Sequence, residues 1–296
     1  MEFKPRFPLA KSMPNSLAVK ADKKRVTPTV ILRDQLPIST WLLLGASAHG
    51  VLSLLLPQSG VYISGIFLLA IAFRICKTLL QAYGILHNPE IDEAVLGKVS
   101  AQIPDLEGNM PTQPSQEGIA VLILGIKSNH PLGAFAPGFK HISESFTKML
   151  NVLDTPEGRQ KYGFLNLSSY VGTEASTSNE IMTISYWRNI EGIHEFAHGP
   201  VHREIWDWWN RTEKEHPFIS IMHEIYHANG RSGAHENVYV NCRPTLLGGT
   251  AYPTKVTGDK EDSELAWRNP LVEARRGILA TSDGRLGKKS NKSSVV

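Results

Sequence analysis

Two long apolar runs dominate the first third of the chain. The first extends from Trp41 to Leu56 without a charged residue, and the second begins at Val61 and continues past Arg74. Each run is near the lower end of the roughly 17–25 residues that a membrane-spanning helix needs. The segment between them, Pro57–Gly60, has the composition of a turn. The pattern predicts a membrane helical hairpin within residues 37–86, with spans at about 40–57 and 61–82.

A helical hairpin buried in a soluble protein would show the same pattern. Such a hairpin needs apolar surface on all sides, and no later part of the chain is apolar enough to provide it. We therefore favour the membrane interpretation. Arg74 and Lys77 fit it, because their long side chains can reach the interface from near the end of the second span.

The charges before the first run predict an orientation. Residues 1–36 hold eight lysines and arginines against three acidic residues, with four prolines, and we interpret them as a flexible basic arm. Positive charge beside a first span favours a cytoplasmic N-terminus, and two spans return the chain to the cytoplasm. With a single span the later domain would lie on the other side of the membrane. Glycosylation could then modify the sequons at Asn166, Asn210 and Asn291.

The hydrophobic pattern between residues 119 and 250 alternates between strands and helices. Ile119–Ile126 is a continuous apolar run of strand length, and apolar residues from Phe139 to Leu153 recur at helical spacing. A second helix follows Asn189 as its cap, breaks at Gly199 and Pro200, and resumes to Asn210. Further strands are indicated at 163–171, 180–188, 218–226 and 235–241. This order predicts an α+β, ferredoxin-like fold, an antiparallel sheet with its helices on one face.

The segments on either side of this domain are polar. Residues 87–118 carry six acidic residues and one lysine, and we interpret them as an acidic connector. Residues 251–296 are interpreted as a polar tail with one short helix near 261–276. The predicted order is arm (1–36), membrane hairpin (37–86), connector (87–118), ferredoxin-like domain (119–250) and tail (251–296).

Composition excludes several classes of protein. The chain has 296 residues, a net charge of +3 and two cysteines, Cys76 and Cys242. The balanced charge argues against a nucleic-acid partner, and two cysteines cannot build a disulfide scaffold or a multi-cysteine metal cage. The pattern G-x-x-x-x-G-K-[ST] and a strand–G-x-G-x-x-G–helix unit are absent from the sequence. A P-loop nucleotidase or a Rossmann dehydrogenase is therefore not expected.

Two copies of the zinc-binding pattern H-E-x-x-H occur, at His194–His198 and His223–His227. On a helix this spacing places two imidazoles on one face with the glutamate as base, so a zinc metalloprotease is one hypothesis. The second copy lies in a strand pattern, where its histidines would be about 13 Å apart. The first copy is followed by a helix break, and His202 comes four residues after His198 instead of six. We therefore expect no metal site.

Histidines near the helix break are better candidates for chemistry. His198 and His202 flank the break beside a cluster of tryptophans that includes Trp187 and Trp206. His223 lies in mid-strand among isoleucines, and we expect it to share their buried face. A buried imidazole needs a hydrogen-bond partner and can titrate near neutral pH. Aromatic walls with a few polar groups suit a site for an apolar substrate.

Three segments that hold these residues resemble one family. They are YWRNIEGIHEFAHGPVHREIWDWWN, ISIMHEIYHANG and ENVYVNCRPTLLGGT, which together lie within residues 186–250. They are similar to the fungal monooxygenase-like family of secondary-metabolite clusters, itself similar to the antibiotic-biosynthesis-type monooxygenases. The resemblance covers roughly residues 40–250, and His194 and His227 fall outside its pattern. The matching residues are Tyr186, Trp187, Phe196, His198, Pro200, His202, Trp206, His223, Glu224 and Tyr226.

The resemblance implies a dimeric α+β barrel and a membrane-tethered monooxygenase that acts on an apolar polyketide or terpenoid intermediate. Oxygenation without a cofactor requires a base that makes an enolate or phenolate, and a pocket that shields the intermediate. Haem with a histidine ligand, as in related barrels, is the other possibility for the cofactor. We expect His198 or His223 as base, His202 or Glu224 as its orienting partner, and Trp187, Trp206 and Tyr226 as pocket walls.

A hypothesis from another class is a non-enzymatic membrane protein whose domain binds or assembles other molecules. An exposed pair of His198 and His202 with no cavity behind it would favour this hypothesis. A closed aromatic cavity that contains both would favour the enzyme. A homodimer is expected in both cases, because a lone ferredoxin-like sheet leaves one face uncovered.

Overall fold

The computed structural model describes residues 2–13, 37–172, 180–230, 234–256 and 264–288. The chain forms two compact units, residues 28–94 and residues 1–27 together with 95–296. The smaller unit is therefore an insertion between two parts of the larger one.

The smaller unit contains the two predicted apolar helices, α1 (Ile38–Leu55) and α2 (Gly60–Ala82), and a 3₁₀ turn at Pro89–Ile91. At about 1.5 Å per residue the helices are roughly 27 and 34 Å long, close to the hydrocarbon core of a bilayer at roughly 30 Å. None of their residues is buried. His49 Nε2 and Ser64 Oγ are hydrogen-bonded at 2.9 Å, which joins the two helices. The hairpin is compatible with a membrane anchor by length and composition.

The larger unit contains nine strands and five helices among its described residues, together with short 3₁₀ turns. The strands are β1 (Val95–Ala101), β2 (Ile119–Ser128), β3 (Phe164–Val171), β4 (Ile181–Trp187), β5 (Ile219–Ala228), β6 (Tyr239–Cys242), β7 (Tyr252–Val256), β8 (Glu264–Arg268) and β9 (Leu271–Glu273). The helices are α3 (Phe139–Leu153), α4 (Pro156–Tyr162), α5 (Ile190–His198), α6 (Pro200–Thr212) and α7 (Ser282–Arg285).

The main sheet has the strand order β3-β4-β2-β5, and every neighbouring pair is antiparallel. With α3 after β2 and with α5 and α6 after β4, this is the ferredoxin-like order, so the predicted fold class is confirmed. The inner face of the sheet packs on the helices through a cluster that includes Leu150, Phe164, Trp187 and Phe196.

Local signals explain the helix boundaries. The side chain of Asn189 caps α5 and accepts a hydrogen bond from Gly192 N at 2.9 Å. The predicted break is confirmed, because Pro200 lacks the N–H that a continuous helix would use and begins α6 instead. Gly138 precedes α3 with φ of 77°, a left-handed conformation that residues with a Cβ rarely adopt.

A second sheet corrects the predicted connector and tail. β1 lies between β6 and β9, and β7 pairs with β8 in a separate hairpin. The connector prediction is wrong over 95–101, where Val95, Val99 and Ala101 are buried. The tail prediction is wrong over 252–256 and 264–273, where strands are found, and the part of the expected helix that follows residue 263 is strand instead. Residues 261–263 of that helix lie outside the described residues. The short strand expected at 235–241 is β6, which begins at Tyr239 and belongs to this second sheet.

The N-terminal residues also differ from their prediction. Arg6 N donates to Leu271 O at 2.7 Å, and Ala10 and Trp267 exchange two backbone hydrogen bonds of 3.0 and 2.9 Å. Phe3 packs against Val272 and its neighbours. The expectation of a flexible arm is therefore wrong over 2–13, because these backbone groups extend the edge of the C-terminal strands. Residues 14–36 of the expected arm lie outside the described residues.

Candidate active site

A cavity lies between the inner face of the main sheet and helices α3, α5 and α6. It consists of two adjoining compartments of about 370 and 210 Å³, which share residues from β2, β4, α3 and α6. Most of its walls are apolar, with Phe146 and Met149 of α3 facing both compartments. The shared lining residues are Leu124, Phe146, Met149, Thr183 and His202.

The sheet register determines which side chains reach this cavity. Leu124 on β2 is paired with Thr183 on one side and with His223 on the other, so the three residues form one row across the sheet. The hydroxyls of Thr183 and Ser185 donate to the carbonyls of Leu124 and Leu122 at 3.3 and 3.2 Å. These two hydroxyls are thus already hydrogen-bonded, and the histidines are the titratable groups among the described residues that line the cavity.

His202 of α6 faces both compartments. Its Nδ1 atom is buried and has no hydrogen bond of good geometry among the described residues, although the Ala197 carbonyl is near enough to act on the ring. Burial lowers the pKa of His202, and the nearby His223 and His198 lower it further, while the Ala197 carbonyl opposes the shift. The imidazole is therefore held in its neutral form near pH 7, the form that accepts a proton.

His198 and His223 line the larger compartment but are exposed. His198 Nδ1 is hydrogen-bonded to the His194 carbonyl at 2.8 Å, so its Nε2 is the free ring nitrogen. The expectation that His223 is buried is wrong. It lies on β5, an edge strand of the main sheet, where only Ile219 is buried.

The two predicted tryptophans occupy different parts of the cavity. Trp187 lines the larger compartment and is 2% exposed, and its Nε1 donates to Ser185 Oγ at 2.9 Å. Trp206 lines the smaller compartment and is 51% exposed, which places it at the opening. Trp187 is a fixed part of the wall, whereas Trp206 contacts solvent.

The structure does not bring Glu224 and Tyr226 to the cavity. Successive strand residues point to opposite faces, so Glu224 and Tyr226 lie on the outer face while His223 and Ile225 line the cavity. Tyr226 Oη donates to Glu224 Oε2 at 2.6 Å, and this hydrogen bond raises the pKa of Tyr226. Glu224 therefore cannot orient an imidazole in the cavity, and Tyr226 is not one of its walls.

The H-E-x-x-H strings do not form converging ligand sets. The rings of His194 and His198 are 6.4 Å apart, and Glu195 lies 3.8 Å from Lys161 on the surface. Across the part of the chain that the structure describes, no three His, Cys, Asp or Glu side chains are placed to hold a metal ion. If a haem were bound in the cavity, its iron ligand would come from the histidines that line it, which are His194, His198, His202 and His223.

Sequence reasoning missed several lining residues. Thr183 and Ser185 were not singled out, although the alternation in β4 puts both on the face of Trp187. Phe146 and Met149 were recognised as helical core positions but not as cavity walls. No local signal distinguishes a core position from a cavity wall, since both are apolar residues on the inner face of a helix.

A ferredoxin-like sheet with an apolar, histidine-containing cavity beneath its helices defines the class: an α+β protein with a candidate active site between sheet and helices. A family model described as Monooxygenase af470-like matches residues 119–247. Monooxygenase af470 of Aspergillus fumigatus is 31% identical over 269 residues, covering 90% of this chain and 94% of that protein. The chain belongs to this family and is a monooxygenase.

Solved structures with similarity to the chain have low sequence identity. SnoaB, a cofactor-independent oxygenase from Streptomyces nogalater, is 9% identical, with 37% of this chain and 91% of that chain covered and a TM-score of 0.23. A protein from Deinococcus radiodurans described as an antibiotic biosynthesis monooxygenase is 15% identical, with 36% and 89% covered and a TM-score of 0.24.

Proposed function

We propose that this protein is a membrane-tethered monooxygenase that takes an apolar polyketide or terpenoid substrate into the cavity and uses His202 as its base. The observation that carries the proposal is the position of the His202 ring, which lines both apolar compartments. The sequence pattern favoured His198 or His223 as base. We prefer His202 because both of the others are exposed to water, which would compete for the proton.

The chemistry follows from the lining of the cavity. His202 accepts a proton from an acidic C–H or O–H of the substrate and leaves an enolate or phenolate that can transfer an electron to dioxygen. The apolar walls shield this anion and the reduced oxygen species from water. In the overall step an activated CH₂ and O₂ yield C=O and H₂O, so one oxygen atom enters the product and the other becomes water.

Oxygen uptake by the purified protein tests the proposal. With a chelator present, we expect enolisable or phenolic apolar compounds to consume oxygen and to yield a product that carries one atom of ¹⁸O from ¹⁸O₂. An absorption spectrum is recorded on the same sample. A Soret band would show that haem is bound, with a histidine of the cavity as the candidate iron ligand, and would overturn the cofactor-free version of the proposal.

The pH profile offers a separate test of His202. Because its pKa is lowered from the ordinary value of about 6.5, the neutral base persists into mildly acidic solution. We expect the acidic limb of kcat to have its midpoint below that value. His223→Gln removes a like charge, so the midpoint should move to higher pH. A midpoint that is identical in wild type and in His223→Gln would contradict the assignment of His202.

The connectivity of the chain supports a tether with two crossings. Residues 2–13 and 95–288 belong to the same compact unit, so both ends of the inserted hairpin connect to one folded body. A folded body lies on one side of a membrane, and a segment whose two ends start there crosses an even number of times. The basic residues before α1 favour the cytoplasm as that side.

Glycosylation at Asn210 reports on which side of the membrane the folded domain lies. Asn210 is exposed on α6, whereas Asn166 is 3% exposed and makes a poor acceptor. A cytoplasmic domain is not glycosylated, so wild type and Asn210→Gln made in microsomes should migrate identically before and after removal of N-glycans. A glycan-dependent shift in wild type that Asn210→Gln abolishes would place the domain on the lumenal side.

We also propose a homodimer through the outer face of the main sheet. Val121, Ile123 and Ile184 on this face are only partly buried, and Met222 and Tyr226 are 38% and 56% exposed. The second sheet covers one end of this face through Tyr186 and Ala228 and leaves the rest open. A second copy would cover that apolar area. Light scattering in detergent measures the mass of the protein in solution and so distinguishes a dimer from a monomer.

A further inference from the structure

The loop between β2 and α3 exposes apolar side chains that the cavity does not use. From Asn129 to Phe139 it contains no Asp, Glu, Lys or Arg. Within it, Ala136 is buried and Ala134 packs against the cluster beneath, whereas Leu132 and Phe135 are 57% and 67% exposed. Neighbouring exposed apolar side chains on an uncharged loop form a patch of the kind that marks contact with another apolar surface.

The same loop covers the end of the smaller compartment. Phe139 and Ile142 belong to the cluster under the loop and also line that compartment. Two further large apolar residues are exposed where the compartment opens, Trp206 at 51% and Ile221 at 45%. We call Leu132, Phe135, Trp206 and Ile221 the apolar rim.

Charges near the rim are largely paired. Lys140 and Glu144 at the start of α3 lie 3.7 Å apart, and Lys148 of α3 pairs with Glu204 of α6. Arg203 and Asp207 are the other charged residues on this part of α6, one of each sign. The rim therefore combines aromatic and aliphatic side chains with little net charge, as membrane-interface surfaces do.

A lipid surface suits this rim better than a soluble partner. The four residues are too few for a stable protein interface. They are enough for a domain that is already held at a bilayer, because tethering raises the local concentration of lipid and a weak contact is then occupied. This step rests on the proposed membrane anchor, for which α1 and α2 have the length and composition.

We propose that the apolar rim inserts into the interfacial layer of the bilayer, so that the smaller compartment opens toward lipid. The ligand of this surface is phospholipid. The consequence is a route by which an apolar substrate dissolved in the membrane reaches His202 without crossing water.

Fluorescence of the full chain in phosphatidylcholine nanodiscs tests this. An environment-sensitive dye is placed on Phe135→Cys in a Cys76→Ser, Cys242→Ser background. The control is Glu157→Cys, which is exposed on α4 near the opposite end of the sheet. Native Cys76 of α2, labelled in Cys242→Ser, reports on the anchor itself. We expect a blue-shifted emission and quenching by spin-labelled lipid at 135 and 76, and neither at 157.

The outcomes separate the two proposals. Quenching at 76 with a water-like signal at 135 would contradict the rim proposal and agree with the anchor proposal. A water-like signal at 76 would overturn the anchor, and the rim proposal with it.

In turnover assays with substrate supplied in nanodiscs, Leu132→Asp with Phe135→Asp should raise KM roughly tenfold at unchanged kcat. The matched variant Gln160→Glu, an added charge at the far end of the domain, should leave KM unchanged. Equal KM in both variants would also overturn the rim.

Discussion

Replacement of His202 by asparagine is expected to lower kcat by about two to four orders of magnitude, the usual contribution of a general base. The imidazole is the only titratable group among the described residues that lines both compartments. Asparagine keeps a polar side chain in α6 but accepts a proton only at extreme acidity. The measurement is the rate of oxygen uptake at saturating substrate, which gives kcat.

The matched control for this variant is His227→Asn. His227 is an exposed histidine of β5 that does not line the cavity, and its loss should leave kcat within a factor of two or so. Binding of the substrate, measured separately under nitrogen, should change little in His202→Asn, because the apolar walls remain. If His202→Asn retains wild-type kcat, the base is elsewhere, and His198 and His223 become the next variants to examine.

Replacement of Asp154 by alanine is expected to destabilise the larger unit by about 3–5 kcal/mol, because it leaves a buried charge without its partner. Asp154 and Arg159 have side chains that are 0% and 2% exposed, and two guanidinium nitrogens of Arg159 donate to Asp154 Oδ1 at 3.0 and 2.6 Å. A third nitrogen donates to Leu165 O at 2.9 Å. The guanidinium also lies 5.5 Å from the ring centroid of Trp267.

This ion pair holds separate parts of the fold together. It joins the end of α3, the helix α4, the start of β3 and the hairpin that contains β8. Urea unfolding followed by near-UV circular dichroism measures the change in the free energy of unfolding. The double variant Asp154→Ala, Arg159→Met should be less destabilised than Asp154→Ala, since it removes the orphaned charge as well.

An exposed pair provides the control for this measurement. Lys140 and Glu144 are 86% and 65% exposed, so Glu144→Ala should change stability by less than the experimental error. An equal decrease in the free energy of unfolding for Asp154→Ala and Glu144→Ala would contradict our account, because it would show that burial does not determine the strength of the Asp154 contact.

Local patterns predicted the elements of the ferredoxin-like domain because the signals for them lie within a few residues. Asn189 caps its own helix through Gly192, and Pro200 ends one helix and starts the next by removing a single N–H. The helical spacing from Phe139 to Leu153 defines one buried face of α3. Each of these features depends on residues that are close together in the chain, so the sequence alone indicates it.

The second sheet was not predictable in this way. β1 pairs with β6 and β9, whose residues lie more than 130 positions later in the chain. The acidic residues around β1 and the polar composition after residue 250 concealed strands that are only three to seven residues long. Nothing within such a short strand identifies its partner, so the pairing is decided when distant segments meet.

The candidate site was predicted in part for the same reason. The sequence by itself determined that His198, His202, Trp187 and Trp206 are close together, since they lie on one strand end and two consecutive helices. Only the tertiary structure decided that His202 is shielded, that His223 lies on an exposed edge strand, and that Glu224 faces away from the cavity. Burial and facing depend on which elements pack over each strand, and the contacts that determine them come from residues far apart in the sequence.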